Sequence, residues 1–178
     1  MKEIDVKPVN KDQWSDFEAL FSSKGAPNYC WCASWRMNAK ELGAADSATK
    51  REFMRRRILA DIPVGLLAYF NGTPVAWCSV APRETYRKLG GDAALENVWS
   101  IACFFIKKEF RGIGLVSRLI EEAQAYAREN GAAYLEAFPV EPDSPSYRHM
   151  GFIETFNHAG FVHTHRTGTR RHVMIYKL

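Results

Sequence analysis

The sequence has no apolar run long enough to cross a membrane and no apolar segment near its start. Its longest apolar stretches, "IPVGLLAYF" and "VWSIACFFI", are far shorter than the roughly 20 residues that span a bilayer. The start, "MKEIDVKPVNKDQW", is charged and lacks the apolar centre of a secretory signal. We therefore expect a cytoplasmic protein that has no membrane partner and keeps its four cysteines as reduced thiols.

The sequence also lacks the residue spacings of common metal and nucleotide sites. Cys30 and Cys32 are not a CxxC pair and no HxxxH pair accompanies them, so we expect no metal site. The absence of Gly-Lys-Ser/Thr excludes a P-loop. The net charge of +4 suits a small polyanionic ligand and is too weak to indicate nucleic acid, so we expect no nucleic-acid partner.

The residues that are present fit one α/β domain over 1–178. Apolar residues make up 47% of the chain and charged residues 25%, which is ordinary for a globular protein that buries a core. "EIDVKPV" alternates like a strand, the apolar residues between 14 and 21 recur at helical spacing, and "SATKREFMRRRILADI" predicts a basic helix. Two apolar runs on either side of Asn71-Gly72 predict a hairpin.

The middle of the chain predicts a strand, a helix and a second strand in succession. "VWSIACFFI" is bounded by polar residues, as expected of a central strand that is buried on both faces. "GLVSRLIEEAQAYARENG" has an apolar helix face and a stop at Gly131, and "AAYLEAFPV" follows as a strand. This order favours a right-handed crossover between parallel strands. With a closing hairpin that turns at 167–169, the predicted fold is a mixed sheet with an antiparallel N-terminal half, one parallel strand–helix–strand crossover and a C-terminal hairpin.

An arginine and two glycines precede the helix of this crossover, in "KKEFRGIGLVSRLI". A helix start exposes unpaired N–H groups and carries a partial positive charge. Gly112 and Gly114 let the backbone approach a ligand closely, and Arg111 adds a fixed, forked donor. The segment therefore predicts a site for phosphate or pyrophosphate. A tight strand-to-helix turn on a solvated surface is the alternative that these residues alone leave open.

The segment "FFIKKEFRGIGLVSRLI" resembles the coenzyme A motif of the GNAT superfamily of N-acetyltransferases, in which Arg/Gln-x-x-Gly-x-Gly/Ala follows an apolar strand and opens a helix. Arg111 and Gly114 match that motif, whereas Val116 stands where the family usually has Gly or Ala. The predicted order of strands and helices also resembles the family, and "NYCWCASWR" is similar to the opening segment of one of its subgroups. The resemblance implies that acetyl-CoA is the acyl donor and that it contacts Phe104, Phe105, Ile106, Arg111, Gly112, Ile113, Gly114, Leu115 and Val116.

The resemblance also implies how these residues act. The backbone at 104–106 would pair with the pantetheine arm like an extra strand, and the N–H groups of 111–116 would hold the pyrophosphate. The implied reaction is direct transfer of an acetyl group to a primary amine of a small molecule or protein in a ternary complex, with strand N–H donors near Ile106 stabilising the oxyanion. A coenzyme A-binding sensor or interaction module without activity is the alternative, and a homodimer is left open.

The second GNAT motif, Tyr-x-x-x-Gly-Phe at the end of the last helix, fits this sequence in two frames. "YRHMGF" gives Tyr147 and Gly151, whereas "FNHAGF" gives Phe156 and Gly160. A helix whose first residue is Pro145 would carry an apolar stripe through Phe156 and stop at Gly160, so we predict the second frame. Tyr147 would be the catalytic acid only if the first frame holds.

The resemblance leaves the general base open and implies where the acceptor binds. The family's glutamate at the start of the central strand falls on Ser100, which cannot take a proton from the incoming ammonium. Glu96 has the same strand parity but lies about 13 Å earlier, so it could act only through water. The first two GNAT helices and their connecting loop face the acceptor, which implies that Trp31 and Trp35 line the acceptor pocket.

Overall fold

The computed structural model of the chain describes residues 4–178, in which one seven-stranded sheet has helices against both faces. The strands are β1 (Ile4–Pro8), β2 (Gly65–Phe70), β3 (Thr73–Pro82), β4 (Val98–Ile106), β5 (Tyr134–Ala137), β6 (Val162–Thr167) and β7 (Arg171–Lys177). The helices are α1 (Trp14–Phe21), α2 (Ala39–Ala44), α3 (Ser47–Leu59), α4 (Leu115–Glu129) and α5 (Ile153–His158). Hydrogen-bonded neighbours in the sheet follow the order β1-β2-β3-β4-β5-β7-β6.

The observed sheet confirms the predicted fold class. β4 and β5 are parallel and are joined through α4, whereas the other neighbouring strands in the described residues pair antiparallel. β4 coincides with the apolar run "VWSIACFFI", and β2 and β3 form the predicted hairpin at Asn71-Gly72. The first strand begins at Ile4, so that the first residue of the predicted strand, Glu3, lies outside the described residues.

Two apolar cores lie on opposite faces of the sheet, because successive side chains of a strand point in opposite directions. On β2, Leu66 and Ala68 belong to the core that α4 completes with Leu119. Leu67 belongs to the other core, which α1 completes with Phe17. Both faces of the central strands are therefore covered, and this burial explains why β4 is apolar at nearly every position.

The parallel pair separates part-way along β4. Only Val98–Ile101 pairs with β5, whereas β3 stays paired with β4 as far as Ile106. The register between β3 and β4 shifts at Ala102, a bulge that bends the strand where the separation begins. Cys103–Ile106 therefore presents one backbone edge that has no strand partner among the described residues.

The predicted helix that starts at Pro145 is wrong. The chain instead passes through a 3₁₀ turn at Arg148–Met150, and α5 begins only at Ile153. Val140, just after β5, forms a parallel bridge with Phe152, and its carbonyl accepts a hydrogen bond from the Ile153 N–H at 3.3 Å. This tertiary bridge holds the segment extended where its apolar spacing alone predicts a helix.

The helices of the fold differ in length. α4 has 15 residues and α3 has 13, whereas α2 has six and begins at a capping box made by Asn38 and Glu41. The sequence of α2 does not predict a helix, because six residues are too few to establish a helical period. No helix within residues 4–178 combines the length and apolarity that a membrane span requires.

Candidate functional site

A cleft of about 820 Å³ opens where β4 separates from β5. One wall of the cleft is formed by the free end of β4 and by the loop and first turn of α4 that follow it. The irregular segment 25–35 and the turn at 148–152 form the other walls. Its charged lining residues in the described chain are Arg87, Arg111 and Arg148, and no carboxylate lines it. This charge distribution suits an anionic ligand.

The loop before α4 has the geometry of an anion site. Gly112 and Gly114 have φ values of 74° and 84°, in the left-handed region that favours glycine. A Cβ added to either residue would have no protein atom within 4 Å, so the missing side chains leave open space above the backbone. Gly114 is the N-cap of α4 and makes no side-chain cap, which leaves the first N–H groups of the helix available to a ligand.

Arg111 completes this loop. Its Nε donates to the Ile106 carbonyl at 3.0 Å, and its two terminal nitrogens have no hydrogen-bond partner in the described chain. All the residues predicted to bind the acyl donor line the cleft except Ile113, whose side chain is 61% exposed. The loop therefore fits a pyrophosphate by its open glycines, its free helix N-terminus and its unpaired guanidinium nitrogens.

A comparison with protein families decides what kind of protein has this fold and cleft. The model described as the acetyltransferase (GNAT) family matches residues 9–152, which include the whole of β4, the glycine loop and α4. The chain belongs to the GNAT family. GNAT enzymes take their acyl group from acetyl-CoA, which carries a pyrophosphate.

Solved structures similar to this GNAT chain share its fold at low sequence identity. An uncharacterized protein from Bacillus halodurans is 15% identical with a TM-score of 0.65, over 99% of this chain and 84% of that one. The PaiA N-acetyltransferase from Thermoplasma acidophilum, in complex with coenzyme A, is 11% identical with a TM-score of 0.61, over 99% of both chains. YncA from Salmonella typhimurium, with its cofactor acetyl-CoA, is 16% identical with a TM-score of 0.57, over 98% of this chain and 94% of that one. No curated protein matches the sequence.

Only one of the two tryptophans that the resemblance assigns to the acceptor pocket lines the cleft in the described residues. Trp35 is half-buried and lines the cleft. Trp31 does not line it: the side chain is 4% exposed, stacks on Phe21, and its indole Nε1 donates to the Ser47 hydroxyl at 2.9 Å. The assignment of Trp31 to the acceptor pocket is therefore wrong, because the residue forms part of the core beneath the cleft.

Glu96 is also misplaced by the sequence analysis. It lies in the exposed loop that precedes β4, whose opposite end forms the cleft, and it is not among the lining residues. Ser100 is buried and donates to the Glu136 carboxylate of β5 at 2.6 Å. Glu136 is itself paired with the Arg83 guanidinium, through Nε at 2.9 Å and Nη2 at 2.5 Å. Neither Glu96 nor Glu136 is therefore a free carboxylate facing the cleft.

His149 is a cleft residue that the sequence analysis did not select. Its ring lies 6.5 Å from that of Trp35 and 6.4 Å from that of Tyr147, between centroids, in a turn packed against β4. Its ring nitrogens have no hydrogen-bond partner in residues 4–178. Desolvation by the cleft lowers the pKa of the imidazole below its usual 6.5, although part of the ring is open to solvent. This shift favours the neutral imidazole, whose free ring nitrogen can accept a proton.

The two frames of the second motif lie in different kinds of structure. Phe156 is fully buried on α5, its ring is 6.2 Å from that of Phe104 on β4, and Gly160 follows the helix with a φ of 85°. Tyr147 precedes the 3₁₀ turn instead, is 38% exposed, and does not line the cleft. Gly151 has a packing role, since a Cβ there would come within 2.8 Å of the Phe156 ring. The second frame thus occupies the end of the last helix, although that helix begins at Ile153 and not at Pro145 as its apolar spacing predicts.

A buried arginine fixes the segment that carries Trp35. Arg36 is 6% exposed and donates to the carbonyls of Cys32 and Val64, to the Ser79 hydroxyl and to the Tyr86 hydroxyl, at 2.6–3.1 Å. It has no carboxylate partner in the described part of the chain, and its Nη1 lies 3.6 Å from the Cys32 sulfur. The neighbouring Cys103 thiol and the Arg36 charge lower the pKa of the Cys32 thiol, against its burial, which raises it. The Cys32 sulfur therefore lies beside the buried Arg36 charge.

Proposed function

We propose that this GNAT chain, as one domain over 1–178, transfers the acetyl group of acetyl-CoA to a primary amine. The observation that carries the proposal is that one cleft brings together an anion-binding glycine loop, an unpaired strand edge and a neutral imidazole. The first two features bind and orient a coenzyme A thioester, and the third takes a proton. These are the requirements of acyl transfer to an amine.

The free end of β4 orients the acyl donor in this proposal. The N–H groups at the start of α4, together with Arg111, hold the pyrophosphate, and the edge of Cys103–Ile106 pairs with the pantetheine arm. A backbone N–H of the same edge donates to the thioester oxygen and stabilises the negative charge that develops on it. The strand is packed on both faces, so these donors are rigid before the ligand arrives.

His149 is the residue that we propose as the general base. The incoming amine is an ammonium at neutral pH, and it must lose a proton before its nitrogen can bond to the thioester carbon. Neutral His149 takes that proton directly or through one water. The imidazolium releases this first proton to solvent, and the C–N bond forms. The imidazole then takes the second proton from the nitrogen of the tetrahedral adduct and gives it to the thiolate as the C–S bond breaks. This proton transfer compensates for Phe156, which has no proton to give.

A coenzyme A-binding sensor is the second candidate, and the buried Phe156 in the place of the usual tyrosine favours it. Acetyl-CoA and a panel of primary amines distinguish the two functions. The enzyme produces acetylated amine, which mass spectrometry detects directly without a thiol reagent that the half-buried Cys30 would also consume. The sensor binds acetyl-CoA, as measured by calorimetry, and produces no acetylated amine.

We predict that Trp35→Ala changes the kinetics of the acceptor and not the binding of the donor. Trp35 lines the cleft from a different segment than the glycine loop, the segment that Arg36 anchors, so its removal enlarges the side that we assign to the acceptor. KM for the amine should rise about tenfold, whereas Kd for acetyl-CoA, measured by calorimetry, should change less than twofold. A tenfold loss of acetyl-CoA affinity in a folded Trp35→Ala protein would place this residue in the donor site.

A further inference from the structure

The aromatic side of the cleft carries an arginine whose charge has no partner. Arg87 lines the cleft, is half-buried, and its guanidinium stacks over the Trp35 ring at 4.8 Å from the centroid. Its backbone N–H donates to the Trp35 carbonyl at 2.8 Å, which fixes its position beside that ring. None of its side-chain nitrogens has a hydrogen-bond or ion-pair partner in residues 4–178. A stacked guanidinium thus presents unused N–H donors to the cleft.

A second arginine packs on Trp35 and on its aromatic neighbour Tyr147. The Arg171 guanidinium lies 5.3 Å from the ring centroids of both Trp35 and Tyr147, and its Nη1 donates to the Leu89 carbonyl at 3.1 Å. Burial lowers the pKa of Arg171, and the charge of Arg87 lowers it further. Two guanidinium groups therefore pack on the Trp35 ring beside the cleft with no carboxylate partner in the described residues, an arrangement that an anionic group would stabilise.

From this geometry we propose that the acceptor is a small primary amine that carries a carboxylate or a phosphate, and that Arg87 binds this anion with Arg171 behind it. The inference rests on the proposed acetyl transfer and names the class of its acceptor. The arginine N–H groups would orient the anion, the Trp35 ring would pack on the carbon chain, and the amine would point toward His149 and the end of β4.

The other two arginines that line the cleft, Arg111 and Arg148, already make hydrogen bonds to backbone carbonyls. Arg111 belongs to the glycine loop and donates to Ile106. Arg148 donates to the carbonyls of Pro142 and Ser144 and stacks over the Phe152 ring at 4.9 Å. Because no carboxylate lines the cleft in the described residues, a diamine or polyamine would find no partner for its second positive charge. The site therefore discriminates by charge against cationic acceptors.

Matched amines test this inference. The value of kcat/KM is measured by product mass spectrometry for four kinds of anionic amine: β-alanine, 4-aminobutyrate, α-amino acids and phosphoethanolamine. Each is compared with the alkylamine and the diamine of the same chain length. We expect kcat/KM at least tenfold higher for the anionic member of one or more sets. Carboxylate and phosphate acceptors are distinguished by which set shows the preference. Equal or higher kcat/KM for the alkylamines and diamines would overturn the inference while leaving acetyl transfer established.

Arg87→Gln tests the residue, and Arg128→Gln is its matched control. Arg128 is exposed on α4, does not line the cleft, and its replacement makes the same change in net charge. We expect Arg87→Gln to reduce kcat/KM for the preferred anionic amine at least tenfold more than for its alkylamine, and Arg128→Gln to leave that ratio within twofold. An unchanged ratio in Arg87→Gln would show that Arg87 does not bind the anion.

A binding experiment decides the inference even if no amine is acetylated. The Nε–H signals of ¹⁵N-labelled arginine, assigned with Arg87→Lys and Arg171→Lys, are followed during titration of the coenzyme A-bound protein with 4-aminobutyrate, phosphoethanolamine and 1,4-diaminobutane. Shifts of the Arg87 signal with an anionic amine and not with the diamine support the anion site. The absence of such shifts for both anionic amines contradicts it, whereas absence of turnover alone contradicts the proposed transfer.

Discussion

Replacing His149 with glutamine is expected to lower kcat for amine acetylation by about 100-fold or more, because loss of a general base typically costs 10² to 10⁴-fold. Glutamine has a similar size and keeps a polar group in the cleft, but it cannot take a proton. Acetyl-CoA affinity, measured by calorimetry, should remain within a few-fold of the original value, since His149 lies outside the glycine loop.

The pH dependence gives a second readout of the same residue. Since desolvation lowers the pKa of His149, the imidazole is neutral and active above that pKa and is protonated below it. The kcat profile should therefore fall on the acid side at a pH below 6.5, and this fall should disappear in His149→Gln.

Tyr147→Phe is the matched control for His149, because Tyr147 borders the same aromatic cluster outside the cleft lining. The Tyr147→Phe protein should retain kcat within a few-fold of the original value. Its kcat profile should still fall on the acid side, as in the original protein. A hundredfold loss in Tyr147→Phe, with His149→Gln nearly unaffected, would make the tyrosine the proton donor and exclude the histidine from catalysis.

Gly114→Asp is expected to weaken acetyl-CoA binding by about 100-fold or more. The substitution directs a side chain into the open space above the loop and sets a negative charge at the start of α4, where we place the pyrophosphate. Titration calorimetry with acetyl-CoA measures the effect, and the thermal unfolding temperature shows whether the variant is folded.

Gly131→Asp controls for the backbone cost of this change. Gly131 follows the other end of α4, has a φ of 79°, and an added Cβ there would also meet no atom within 4 Å. Both variants therefore carry the same charge and a similar left-handed strain, of about 1–2 kcal/mol. Equal acetyl-CoA affinity in the Gly114→Asp and Gly131→Asp proteins would remove the glycine loop from the donor site.

The sequence predicts the central part of the fold well because local and tertiary preferences agree there. β4 is apolar at nearly every position since both of its faces are covered, and α4 has an apolar face, open glycines before it and Gly131 after it. The donor side of the cleft lies within this continuous stretch of chain. Its residues are therefore visible as one motif in the sequence.

The acceptor side is assembled from distant parts of the chain, and this is why sequence patterns misplace it. A Val140–Phe152 bridge overrides the helical spacing after Pro145 and brings His149 into the cleft. Trp31 and Trp35 are four residues apart in one irregular segment, and no periodicity indicates which of them is buried. Arg87 reaches Trp35 only through tertiary packing, so no local motif could have marked it.

A crystal structure of the protein with acetyl-CoA bound tests the location of the reaction most directly. We predict that the pyrophosphate accepts hydrogen bonds from the backbone of the Gly112–Leu115 loop and that the pantetheine arm runs along the free edge of β4. The thioester carbon should then lie in the space between that edge and His149, within reach of the imidazole directly or through one water. A pyrophosphate bound away from the glycine loop, or a thioester on the far side of the sheet from His149, would contradict the proposed site.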